Sequence, residues 1–164
     1  MEIINLKNLY SLQAGLDKEI ADNHNVSYET TKTKRLLALI VEIGELANET
    51  RCFKFWSNKG PSAKEIIMDE FADGLHFLLS LGIILNANKF DYELTKSDEE
   101  LTEQFLNVYK LALCLKDNFD LSHYEKCFSS YLNLALSIGM NCKDIIDSYN
   151  KKLSVNYQRQ ENNY

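Results

Sequence analysis

The sequence has little that breaks a helix: one proline and six glycines in 164 residues. That scarcity argues against a turn-rich fold and for a mainly helical one. Strand-like alternation of apolar and polar residues is not found. The four cysteines, Cys52, Cys114, Cys127 and Cys142, form no CxxC pair, which excludes a zinc ribbon and leaves each as a small buried hydrophobe. No apolar run reaches the roughly 18 residues of a membrane span. Met1–Tyr10 lacks the basic start and long apolar stretch of a signal peptide, so the expectation is a reduced, cytoplasmic protein. Long basic runs are also missing and the net charge is −6. This excludes duplex nucleic acid as a partner. An acidic protein repels a polyanionic substrate at long range, and needs a metal and a few placed Lys or Arg residues to hold one.

What is present is enough apolar material for a core. Hydrophobic residues make up 45% of the chain, and the length suits one domain spanning 1–164, with no repeat, linker or low-complexity segment. A first helix is expected from about Leu6 to Ala21, with Leu6, Leu9, Leu12, Leu16 and Ile20 as its apolar stripe, then a loop over Asp22–Val26. A second helix covers roughly Thr31 to Arg51, with Leu36, Leu37, Leu39, Ile40, Ile43 and Leu46 as its apolar face. Asn58-Lys59-Gly60-Pro61 is the clearest break. Ser62-x-x-Glu65, Ser97-x-x-Glu100 and Ser122-x-x-Glu125 resemble capping boxes and predict helices running to about Asn86, Lys116 and Ile138. Asn88–Lys96 reads as a polar connection. A last helix starts near Asn141 or Lys143 and passes Tyr149. The third helix is apolar almost all round from Leu75 to Leu85, which predicts a central place or a subunit contact. Gly74 and Gly82 would let another helix approach it. The fold class is all-α, a bundle of about six or more helices.

Two acidic pairs interrupt this apolar pattern. Glu42-x-x-Glu45 and Glu70-x-x-Asp73 each place two carboxylates on one helical face. Glu49 continues the first stripe; Asp69 and His76 flank the second. A solvated helix face also carries such stripes, but three features argue against one here. Both stretches lack the Lys or Arg at i+4 that accompanies a solvated Glu face, both are surrounded by apolar residues, and a short loop joins the two helices so that the pairs can face each other. Like charges among apolar neighbours are costly, and a hard divalent cation removes that cost. Carboxylate-only ligation favours magnesium, with manganese as a substitute. Asp73-x-x-His76 and Asp120-x-x-His123 imitate the spacing of di-iron carboxylate bundles, and a di-iron protein is kept as a rival reading.

Other groups suit a nucleotide. Phe53-Lys54-Phe55-Trp56 follows the first acidic helix, and Lys59 and Lys64 lie just beyond. Rings beside lysines stack on a base and hold phosphates. His76 and Phe77 lie one turn past Asp73, within reach of whatever the metal holds. Lys152, Asn156 and Arg159 fall at i, i+4 and i+7, a stripe that would converge on an anion, although the polar C-terminal stretch would serve equally as a bare tail.

Glu42-Ile-Gly-Glu45, Arg51-Cys-Phe-Lys-Phe-Trp-Ser57 and Asp69-Glu-Phe-Ala-Asp-Gly-Leu-His-Phe77 together resemble the dimeric all-α dUTPases of the all-α NTP pyrophosphatase superfamily, whose signature is ExxE followed by ExxD. Gln13-Ala-Gly-Leu-Asp17 is similar to the first motif of that family and Asn156-Tyr-Gln-Arg159-Gln-Glu-Asn-Asn-Tyr164 to its last. The resemblance covers roughly residues 9–88 and 145–164; the middle matches only as helices. It implies a homodimer that hydrolyses dUTP, and dUDP, to dUMP. It also implies magnesium on Glu42, Glu45, Glu70 and Asp73, with Glu45, beside Glu42, orienting or deprotonating the attacking water. Gln13 and Asp17 would read the base and Trp56 would pack around it, while His76 and Phe77 would contact the deoxyribose. Lys54, Lys152 and Arg159 would neutralise phosphates, with Asn156 and Tyr164 closing the site. Some relatives carry Asn where this chain has Asp17, which leaves the preferred base open. The rivals are a related pyrophosphatase acting on dCTP or a non-standard nucleotide, the di-iron protein, and a non-catalytic helical interaction module.

Overall fold

Helix packing against one apolar rod organises the molecule. The computed structural model describes residues 2–164. The chain runs β1 (Glu2–Asn5), α1 (Lys7–His24), α2 (Tyr28–Thr50), α3 (Lys64–Ile84), β2 (Asp91–Leu94), α4 (Leu101–Cys114), α5 (Leu121–Ser137) and α6 (Cys142–Glu161). The all-α class and the helix count agree with the sequence pattern. α3 is central: α1, α2, α5 and α6 all pack against it, and Phe71, Leu75, Leu78, Leu79 and Leu81 are fully buried.

The two glycines of α3 admit ring edges. A Cβ at Gly74 would lie 2.2 Å from the Tyr131 hydroxyl, and one at Gly82 would lie 2.2 Å from that of Tyr124. Neither tyrosine is free to yield. Tyr131 donates to the Phe71 carbonyl at 2.7 Å, and Tyr124 donates to that of Leu78 at 2.9 Å while sharing a 2.7 Å bond with the Tyr10 hydroxyl. Gly82→Ala gains about 1 kcal/mol of helix propensity and overpacks a pinned ring, which costs more. A net loss of about 2 kcal/mol in urea unfolding is expected; an unchanged midpoint would mean that α5 does not seat as described.

Several local expectations are corrected. The helical pattern of the sequence hides a two-stranded antiparallel ribbon: β1 pairs with β2, Ile4 opposite Tyr92. The segment read as a polar connection holds β2. Each strand has four residues, too few for alternation to show, and β1 turns only Ile4 inward. α1 runs through His24 into the expected loop and ends at Asn25 in the left-handed region. None of the three serine boxes caps its helix. Ser62 instead donates its hydroxyl to Glu49 and its N–H to the Glu49 carbonyl, Ser97 accepts from the Glu99 N–H, and Asp120, not Ser122, caps α5. The reciprocal boxes are Ser27 with Thr30 and Asn141 with Asp144, where Thr and Asp do the work expected of Glu or Gln. On α2, Leu37 is exposed rather than part of the core face. The C-terminal stretch is a helix to Glu161, not a bare tail. No helix among the described residues is long and apolar enough to cross a membrane.

Candidate metal and nucleotide site

The three-residue spacing on α2 and the packing of α2 on α3 bring acids from both helices together. Glu42, Glu45 and Glu70 each offer a carboxylate oxygen within 4.8 Å of the others. Glu42 Oε2 is buried and has no hydrogen-bond partner in the protein. Burial first, then contact with the Glu45 carboxyl, then the charges of Asp73, Glu45 and Glu70 push the Glu42 carboxyl up to about 8. Burial and neighbouring acids also raise Glu70. An oxygen-only donor set with one orphaned buried oxygen fits a hard divalent cation. Glu49, the third member of the stripe, is engaged by Ser62 and so anchors the loop between α2 and α3.

Asp73 stands apart from this trio. Lys152 of α6 donates to Asp73 Oδ2 and to Asp69 Oδ2, each at 2.7 Å, and its side chain is only 4% exposed. Burial raises the Asp73 carboxyl, and the bond to Lys152 opposes that shift. The stripe Lys152–Asn156–Arg159 does lie over the acidic helices, but its lysine meets carboxylates here.

Among the acids, α1, α2, α3 and α6 enclose a cavity of about 200 Å³. It is lined by Gln13 and Asp17, by Glu42, Asp73, His76 and Phe77, and by Asn156, Arg159 and Tyr164. Most of the candidate residues therefore share one wall-to-wall space. His76 is buried, stacks on Tyr149 with ring centroids 4.2 Å apart, and has neither ring nitrogen partnered. Burial lowers it to about 4, so the ring is neutral near pH 7 and has a donor and an acceptor unused. The Arg159 guanidinium lies over the Tyr164 ring at 5.0 Å. Lys54 and Trp56 do not line this cavity. They sit in the turn after α2, where Trp56 is 65% exposed and meets Phe53 and Phe55 edge-on.

The histidine imitations of a di-iron site do not join the carboxylate trio, although His76 shares the cavity with Glu42 and Asp73. The metal-competent group among the described residues contains no histidine. His123 bonds to the N-capping Asp120 at the exposed start of α5. A wider groove of about 770 Å³ lies along α4 and α5 and is lined by none of the clustered carboxylates.

Four residues missed in the sequence complete the site's wall. Asp17 Oδ1 accepts from Gln13 Nε2 at 2.9 Å and Arg35 Nη1 at 3.1 Å. Its Oδ2 accepts from Tyr28 at 2.9 Å and Ser80 at 2.6 Å. Tyr149 donates to Gln13 Oε1 at 3.0 Å. A signal was available: Arg35 lies on the same helical stripe as Leu39, Ile43 and Leu46, and a charge on a buried stripe needs a partner.

A family model described as dUTPase matches residues 5–164, including the middle segment that by sequence motif matched only as helices. No curated protein matches the chain.

Proposed function

This chain belongs to the dUTPase family and is by that membership a dUTP diphosphatase; we propose that it works with magnesium, takes dUDP as well as dUTP, and releases dUMP from both. Hydrolysis consumes one water and frees pyrophosphate from dUTP or phosphate from dUDP. The observation that carries the reading is the convergence of Glu42, Glu45 and Glu70, with a buried, unpartnered oxygen on Glu42, which also lines the cavity.

In this reading Glu42, Glu45, Glu70 and Asp73 hold the cation. When bound, it neutralises phosphate charge and polarises the oxygens of the reacting phosphoryl group. Glu45, the most exposed of the trio, orients the attacking water and takes its proton. Gln13 meets the base edge. The neutral His76 and Phe77 line the deoxyribose, where Phe77 would exclude a 2′-hydroxyl. Arg159 and Lys152 hold phosphates, and Asn156 and Tyr164 close over the substrate. Lys54 and Trp56, in the turn after α2, lie outside this cavity and carry no role in this reading.

A homodimer is part of the proposal. Leu37 and Val41 of α2 and Leu106 and Leu113 of α4, which pack together, all expose apolar side chains, a surface that a second copy would cover.

Purified protein incubated with the four dNTPs, dUDP and UTP, with and without magnesium, tests the reading. Magnesium-dependent dUMP from dUTP and dUDP, with UTP spared, is expected. Turnover of dCTP or a non-standard nucleotide in place of dUTP would keep the carboxylate site and replace the base assignment. No turnover of any nucleotide would sink the proposal.

A further inference from the structure

We propose that Asp17 decides which base this site reads, not by touching the base but by fixing the direction of the Gln13 amide. The inference rests on the dUTPase reading and concerns the discrimination of uracil from cytosine. A carboxylate has about four acceptor positions, and those of Asp17 are taken by Gln13, Arg35, Tyr28 and Ser80. The residue is 2% exposed. Nothing is left for a substrate.

Gln13 is different. Its amide oxygen and nitrogen each have one bond inside the wall, to Tyr149 and Asp17. One N–H and one oxygen lone pair remain, and the residue lines the cavity. A free amide offering one donor and one acceptor is ambiguous. It matches the N3–H and a carbonyl oxygen of uracil, and after a flip it matches the N3 and amino group of cytosine. Here the flip is barred. It would turn the Gln13 oxygen toward Asp17 Oδ1, which is an acceptor only, and two unpaired acceptors in a buried site are costly. Arg35, 9% exposed, donates to Asp17 Oδ1 at 3.1 Å and holds it in place. Asp17 is thus a positioning residue, and the Arg35–Asp17 pair sets the sign of the hydrogen-bond pattern presented to the base.

An amide at position 17 would lift the bar, since it can present a donor or an acceptor to Gln13. Asp17→Asn also leaves the Arg35 guanidinium without its counter-ion, so the double variant Asp17→Asn/Arg35→Met serves as the second variant. It keeps the amide at position 17, lifts the same bar and leaves no buried charge unpaired. Tyr124→Phe, in the core away from the cavity, controls for loss of stability. The measurement is kcat/KM for dUTP and for dCTP, with the melting temperature of each protein. The expected result is a ratio of dUTP to dCTP lowered at least about tenfold in both variants, carried mainly by KM, while Tyr124→Phe keeps the native ratio. An unchanged ratio in both variants, with dUTP still hydrolysed, overturns the inference alone. If Asp17→Asn does not fold, the double variant decides it by the same criterion. A native protein that hydrolyses no nucleotide overturns the dUTPase reading and this inference with it.

Discussion

Glu42→Gln is expected to abolish dUTP hydrolysis and, without metal, to leave the protein at least as stable as the native one. The two halves have one cause. The carboxyl is half-buried, one of its oxygens has no partner, Glu45 and Glu70 converge on it, and the charge of Asp73 adds to theirs. As a ligand to a cation that arrangement is favourable; without the cation it is strained. Even partners that only support a ligand cost about 10–100-fold when removed, so kcat/KM should fall by at least about 100-fold. The pH dependence follows from the raised carboxyl, held near 8 in the folded chain against about 4.3 when unfolded. The folded state therefore binds the proton more tightly. Its contribution to stability is fully present below the unfolded value and is lost as the pH rises through about 8. Metal-free native protein should lose melting temperature between about pH 5 and pH 8, and Glu42→Gln should flatten that slope. Magnesium should raise the melting temperature of the native protein by linkage and not that of the variant. Native turnover in the variant, or an unchanged magnesium shift, would remove Glu42 from the metal site.

The other large effect is expected at Lys152. Its ammonium lies between Asp69 and Asp73 at 2.7 Å from each. Lys152→Met keeps the stem and deletes the charge, leaving two carboxylates on adjacent turns of α3 without a counter-ion. Breaking a fully buried pair costs about 3–5 kcal/mol. The Asp69 side chain is 43% exposed and that of Asp73 21%, and solvent screening reduces the loss to about 2 kcal/mol in the absence of metal. Magnesium should recover part of it, because the freed Asp73 can join the other carboxylates. With metal present, the loss of a phosphate contact should lower kcat/KM by about 10–100-fold, as expected for one hydrogen bond to a charged group. Chemical denaturation with and without magnesium separates the two roles. A variant as stable as the native chain in both conditions would show that the ion pair contributes nothing.

Several parts of the site were legible because they are local. Glu42 and Glu45, or Glu70 and Asp73, share a face wherever their helix goes, since three residues span almost one turn. Gly74 and Gly82 marked close approach, and Tyr131 and Tyr124 fill those places. Lys54 and Trp56 were grouped with the acids on proximity in sequence, but the left-handed turn at Arg51, whose guanidinium bonds Ser57 and the Lys59 carbonyl, carries them out of the cavity. The serine boxes failed because a Ser-x-x-Glu pattern specifies a cap only if no other acceptor competes, and Glu49 competes for Ser62.

The sequence by itself determined the helical class, the central apolar helix, the two carboxylate pairs and the family. Helical periodicity and short motifs are carried by residues within a turn or two of one another. Only the tertiary structure decided who answers each buried charge. Asp17 is met by Arg35 from 18 residues away and by Ser80 from 63, and Asp69 is met by Lys152 from 83. A charge removed from water must find a partner, but sequence spacing does not say which helix will lie opposite it. That choice is made by the packing of α1, α2 and α6 on α3.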